Sequence, residues 1–252
     1  MSIADLKARM TGGDRLVGTF LKTPSVDLIE ILSGSGLDFI VLDAEHAPFD
    51  RMRLDACLAV GRALDFPLLV RVPAGTPDEL LKVLDAGAVG VVVPHVDSAE
   101  KAEIVARSSR FGPGGRGYAG STRWAGFATR SMAEVLQQAK DETIVIAQIE
   151  EVEGVEAIDA IAGCDGIDGV FIGPADLSVS LGKSDINSPE LGEAMQRVGE
   201  AAKTHGVAYI TWVPGPEKAA EWDKYGFTTY VAASEHSWML AGARAAAAGI
   251  KR

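Results

Sequence analysis

Asp168-Gly169-Val170-Phe171-Ile172-Gly173-Pro174-Ala175-Asp176-Leu177-Ser178 reads as a short buried strand that runs into a tight turn and ends in a carboxylate. Gly173 permits close backbone approach and Pro174 fixes the next φ, so Asp176 is delivered just past the strand end. Upstream, Ile144-Val145-Ile146-Ala147-Gln148-Ile149-Glu150 repeats the arrangement, with Glu150 as its terminal acid. Both runs are continuously apolar rather than alternating, as expected of parallel strands covered on both faces.

Outward from this pair, runs of the same kind recur at 15–21, 38–43, 67–72, 90–94, 207–213 and 229–233, beside 143–150 and 169–173. Helical patterns separate them at 25–33, 51–64, 77–86, 98–107, 131–139, 152–162, 189–204, 216–225 and 235–248. Pro77 behind Thr76 and Pro189 behind Ser188 have the form of first-turn prolines after N-caps. Gly87, Gly163, Gly206 and Gly226 fall where helix-ending glycines belong. About eight strands alternating with helices predict an α/β chain folded as a single-domain (β/α)8 TIM barrel over residues 1–252; a doubly wound sheet is the alternative. No linker or low-complexity stretch divides the chain.

Its 252 residues suit one such barrel, and 47% hydrophobic against 23% charged residues can fill a sizeable core. A formal charge of −11 counts against nucleic acid or an anionic membrane as partner. It leaves room for an anionic substrate where a cation reverses the local sign. Cys57 and Cys164 have no zinc-ligand spacing and read as buried free thiols in a reducing compartment. The first residues lack a basic stretch followed by an apolar core, and no apolar run nears the roughly 20 residues that span a bilayer. The expectation is a cytoplasmic protein.

In a barrel the chemistry sits where the strands end. Glu150 and Asp176 there are either capping or salt-bridged acids, or a pair of oxygen ligands for a hard divalent cation: Mg2+ or Mn2+, with Co2+ able to substitute. His46 follows the second strand with Asp43 a short turn away, the grouping of a general base whose ring an acid orients. Glu45 is a solvated acid or the holder of a metal-bound water. Arg71 ends an apolar strand and must meet an anion there, either a structural carboxylate or a carbonyl oxygen gaining charge. Gly112-Pro113-Gly114-Gly115-Arg116-Gly117 matches GxGxxG but neither follows a strand nor opens a helix, so the dinucleotide reading fails. The segment 109–130 is expected to be a mobile loop that covers the barrel mouth or an interface, with Arg116, Arg123 and Trp124 as surface or intersubunit residues. Residues 241–248, rich in alanine, read as a packed helix. A Schiff-base mechanism needs an inward strand lysine; Lys22, just past the first strand, is the nearest candidate and a weak one.

Taken together, Leu42-Asp43-Ala44-Glu45-His46-Ala47-Pro48, Val70-Arg71-Val72-Pro73, Gln148-Ile149-Glu150 and Gly169 to Ser178 resemble the HpcH/HpaI aldolase family. The resemblance runs in order over nearly the whole chain. It implies a class II, metal-dependent aldolase that reversibly cleaves a 4-hydroxy-2-oxo acid into pyruvate or hydroxypyruvate and an aldehyde. Same-site alternatives are oxaloacetate decarboxylation and citryl-type or macrophomate-synthase-like chemistry, and the rival from another class is a non-catalytic 2-oxo-acid-binding barrel. It further implies a homo-oligomer, usually a hexamer whose last helix packs on a neighbouring barrel. Carried over, Glu150 and Asp176 become metal ligands, His46 the base with Asp43 beside it, and Arg71 the holder of the ketone oxygen. Gly173, Pro174, Ala175 and Asp176 receive the substrate carboxylate, with Gln148, Trp212 and Val213 completing the pocket. Asp85 matches an acid that reaches the His of an adjacent subunit. Two departures concern the aldehyde: Trp212 where smaller residues are usual, and His95 where an apolar residue is expected.

Overall fold

The computed structural model describes residues 1–251. In chain order the elements are α1 (Ile3–Thr11), β1 (Leu16–Leu21), α2 (Val26–Ser33), β2 (Phe39–Asp43), α3 (Arg51–Ala63), β3 (Leu68–Arg71), α4 (Pro77–Asp85) and β4 (Gly90–Val93). Next come α5 (Ala99–Ser109), α6 (Met132–Glu142), β5 (Ile144–Ile149), α7 (Val152–Glu156), α8 (Ile158–Ala162), β6 (Gly169–Ile172) and α9 (Pro174–Ser180). The chain finishes with α10 (Pro189–His205), β7 (Ala208–Val213), α11 (Pro216–Trp222), β8 (Thr229–Ser234) and α12 (Glu235–Ile250). The eight strands pair in parallel, each with its sequence neighbour, and β8 closes on β1. This is the (β/α)8 barrel, and the doubly wound alternative falls.

Strand periodicity divides the core into two layers. Phe20, Phe39, Val41, Leu69, Val92, Ile144, Ile146, Phe171, Ile210 and Val231 fill the barrel interior. The residues between them, among them Leu42, Val70, Val93, Val145, Ile172 and Val213, pack outward against the helices. Successive strand side chains point to opposite faces. The inward parity therefore continues past the last interior layer to Asp43, Arg71, Gln148 and Trp212 at the strand ends. Gly18 supplies room inside: a Cβ there would stand 2.4 Å from the Phe39 ring.

The base of the barrel is plugged by α1, an element the sequence patterns did not announce. Its Ile3, Leu6 and Met10 are buried and join the interior cluster. The turn expected at 174–178 is instead the first part of α9, with Pro174 at its start. Among the described residues no helix is long and apolar enough to cross a membrane. Two expectations are overturned by position. Segment 109–130 does not cover the mouth, because it bonds to the C-terminal end of α4, at the base: Trp124 N–H donates to the Asp85 carbonyl and Arg123 to that of Ala86. Arg116 and Trp124 are buried, not superficial, since Arg116 pairs with Asp85 and lies over the Phe111 ring. Helix α12 buries only its first residue, Glu235; His236 bonds to the Thr23 hydroxyl at 2.9 Å, and the residues after Glu235, with the alanine-rich 241–248 expected to be packed, are exposed in this chain.

Candidate active site

At the C-terminal end of the barrel a cavity of about 260 Å³ is lined by Phe20, Lys22, His46, Arg71, Gln148, Phe171, Trp212 and the α9 start, Gly173 to Asp176. The site is built outward from one buried ion pair. Asp43 and Arg71 are direct register partners on β2 and β3. Arg71 Nε and Nη2 donate to the two Asp43 oxygens at 3.1 and 2.9 Å, with Asp43 fully buried. Burial alone would push the Asp43 carboxyl up, but hydrogen bonds and charge from Arg71, the His46 N–H and Lys22 hold it below its ordinary value. Lys22 Nζ stands 3.3 Å from Asp43 Oδ2.

This pair revises the role expected of Asp43. Its carboxylate accepts from the His46 backbone N–H at 3.1 Å and not from the ring. Both oxygens are already taken by the guanidinium fork, so Asp43 fixes the chain that carries His46 while the imidazole stays free. That ring lines the cavity, 56% exposed, with Nε2 3.7 Å from Glu45 Oε2. Glu45 is not a solvated acid: its side chain is 10% exposed and lies 3.3 Å from Arg71 Nε.

Glu150 and Gln148 emerge from β5 on the inward parity, and both are buried. Gln148 Nε2 donates to Glu150 Oε2, and the His95 backbone N–H donates to Glu150 Oε1 at 2.9 Å. Burial raises the Glu150 carboxyl above its ordinary value; these hydrogen bonds oppose that, and the like charge of nearby Asp176 adds to it. Asp176, in the first turn of α9, forms no ion pair or side-chain hydrogen bond among the described residues. Gln148 Oε1 is buried without a hydrogen-bond partner, and buried Glu45 Oε2 has no hydrogen bond but lies in an ion pair with Arg71. Neighbouring Glu150 and Asp176, with no arginine or lysine on either among the described residues, fit a hard divalent cation. Gly173 eases the approach, since a Cβ there would stand 3.0 Å from Glu150 Oε2 and press that carboxylate aside by a few tenths of an ångström.

Val213, expected at the pocket, faces the helix layer instead because it follows inward Trp212 by one residue. Asp85 lies at the opposite end of its own barrel, tied to Arg116. Its expected contact with a histidine of another copy is one that a single chain does not contain. The sequence reading passed over Phe20 and Phe171 as pocket walls and weighed Lys22 only as a Schiff base. The inward parity of 16, 18, 20 and 22 carried that signal.

A family model for HpcH/HpaI aldolase/citrate lyase matches residues 16–234. A hydroxypyruvate/pyruvate aldolase of Paraburkholderia phytofirmans is 32% identical over 249 residues, which are 96% of this chain and 95% of that protein. A 4-hydroxy-2-oxovalerate aldolase of Rhodococcus jostii is 34% identical over 81% of each chain. Among solved structures, an HpcH/HpaI aldolase/citrate lyase family protein from Burkholderia cenocepacia superposes with a TM-score of 0.92 at 34% identity, covering 99% of this chain and 100% of that one.

Proposed function

This chain belongs to the HpcH/HpaI aldolase/citrate lyase family, and from that premise we infer that it is a class II aldolase, reversibly cleaving a 4-hydroxy-2-oxo acid into pyruvate or hydroxypyruvate and an aldehyde. The observation that carries the reading is the convergence of His46, Arg71, Gln148 and Asp176 on one cavity, beside a buried Glu150 that no arginine or lysine neutralises. Glu150 and Asp176, with Glu45 close behind, would hold a divalent cation, which when bound would supply Lewis-acid withdrawal of charge from a 2-oxo acid. Mg2+ or Mn2+ suits the oxygen donors, and Co2+ can substitute.

The chain's own groups do the rest. Backbone N–H groups of Ala175 and Asp176, at the start of α9, suit a substrate carboxylate. Arg71, locked in place by Asp43, presents its guanidinium to the ketone oxygen as that oxygen gains charge. The free His46 imidazole takes a proton from C3 of the bound keto acid, or returns it in cleavage. Phe20, Phe171 and Trp212 form an apolar wall that excludes water and limits the aldehyde. We also place the protein in the cytoplasm, where Cys57 and Cys164 remain free thiols, and infer a homo-oligomer, hexameric by the resemblance.

The test is exchange of the pyruvate methyl protons in deuterated buffer. Exchange that needs added Mg2+ or Mn2+, stops with EDTA and is lost in His46→Ala supports the reading; metal-independent binding of pyruvate without exchange would sink it. A panel of aldehydes, run against oxaloacetate decarboxylation, then separates the aldolase from its same-site rivals.

A further inference from the structure

We propose that His95 is a nitrogen ligand of the divalent cation, giving this site a mixed nitrogen–oxygen donor set with a preference for borderline transition ions over Mg2+; the proposal rests on the metal-dependent reading above. The geometry begins with the backbone. On β4 the inward positions are 90 and 92, and continuing that alternation past Val93 would aim residue 95 away from the barrel axis. Residue 95 instead adopts a left-handed φ of 56°. That conformation is unfavourable for a residue with a Cβ and recurs where local structure enforces it. It is accompanied by an imidazole directed at the carboxylates of the mouth.

Both ring nitrogens face acids. Nδ1 stands 3.1 Å from Glu150 Oε1 and 2.5 Å from Glu151 Oε1, while Nε2 stands 3.7 Å from Glu45 Oε1. One donor atom each from Glu45, His95 and Glu150 lie within 4.8 Å of one another. Two neighbouring ligands about 2.1 Å from an ion stand roughly 3.0–3.4 Å apart, so the His95–Glu150 separation already matches that of a ligand pair. To bind an ion through Nδ1 the ring would give up that nitrogen's hydrogen bond to Glu151; Nε2, 3.7 Å from Glu45 Oε1, would then carry the proton toward Glu45, the carboxylate–histidine relation that orients metal-bound imidazoles. Imidazole favours Co2+, Ni2+ and Zn2+ far more than Mg2+, which binds through oxygen and retained water.

The experiment needs no substrate. Metal-free wild type, His95→Gly and Glu150→Gln are titrated with CoCl2 and with MgCl2 by calorimetry. Mn2+-loaded samples are examined by pulsed EPR for coupling to nitrogen. Glycine is chosen because it accepts the left-handed backbone, and circular dichroism verifies the fold. Expected are a loss of Co2+ affinity of about 10–100-fold in His95→Gly, a change in Mg2+ affinity within about threefold, and a nitrogen coupling present only with His95. Unchanged or tighter Co2+ binding in His95→Gly, or no nitrogen coupling in the wild type, overturns the ligand assignment while leaving the Glu150-centred site standing. Undiminished binding of both ions by Glu150→Gln removes that site itself, and the proposal with it.

Discussion

Arg71 has two tasks that pull in different directions. It faces the cavity, and it is the main counter-charge of a fully buried Asp43. Removing one partner of a buried pair leaves an uncompensated charge, at a cost of about 3–5 kcal/mol. Arg71→Ala is therefore expected to abolish turnover and also to lower the thermal midpoint by several degrees, with Lys22 offsetting part of the loss. His46→Ala and Asp176→Ala alter exposed groups. They should leave the midpoint within about 2 °C while His46→Ala cuts turnover by about 10²–10⁴-fold; assays paired with thermal melts decide this. The pH dependence of stability follows from Asp43. Its folded pKa lies below the unfolded value, so its contribution is present above pH 4 or so and is lost as pH falls through the depressed value. Acid titration of the melt should show that loss absent in Asp43→Asn, which is itself less stable at neutrality.

At the scale of elements, all eight strands were legible to within a residue or two, because buried parallel strands are continuous apolar runs. What escaped notice was α1 and α9. The Ile3, Leu6, Met10 spacing was present but short and bordered by charge. The Gly-Pro opening of α9 looks like a turn until its following residues are seen to be helical. The place of 109–130 was readable in principle: it joins helix α5 to helix α6 on the way from β4 to β5, and helix-to-strand connections lie at the base of a barrel. Its glycines and arginines suggested a lid instead. The partners of the site acids were harder. That Asp43 would bind Arg71 and not the His46 ring depends on the β2–β3 register, which composition does not state. Two packing tests belong here. Leu6→Ala, at the base plug, should cost about 2–5 kcal/mol in denaturant unfolding. Gly173→Ala should leave the fold nearly intact but weaken Mn2+ binding at least about tenfold by displacing Glu150, as calorimetry would report.

Over the whole molecule, α12 is anchored only at its start, by Glu235 and His236 against Lys22 and Thr23, and is exposed beyond. Trp238, Met239, Leu240 and Ile250 are exposed on it, an apolar surface that soluble proteins rarely leave open. Under the homo-oligomer we propose, it is the surface through which copies would assemble. Light scattering should give a multimer for the full chain and a smaller species when the chain is cut after Glu235. A monomeric full chain would end that reading.

The two-residue rhythm that sends Lys22, Asp43, Arg71, Gln148 and Glu150 to one side of the barrel wall also makes their strands intolerant of changes in length. One inserted residue in β5 would bring Ala147 and Ile149 to the places of Gln148 and Glu150, whatever its identity. Natural drift in acceptor preference should then accumulate as replacements at positions such as 212, or as longer and shorter connections above the mouth. Gaps and insertions within the wall itself should be almost unknown among functional descendants.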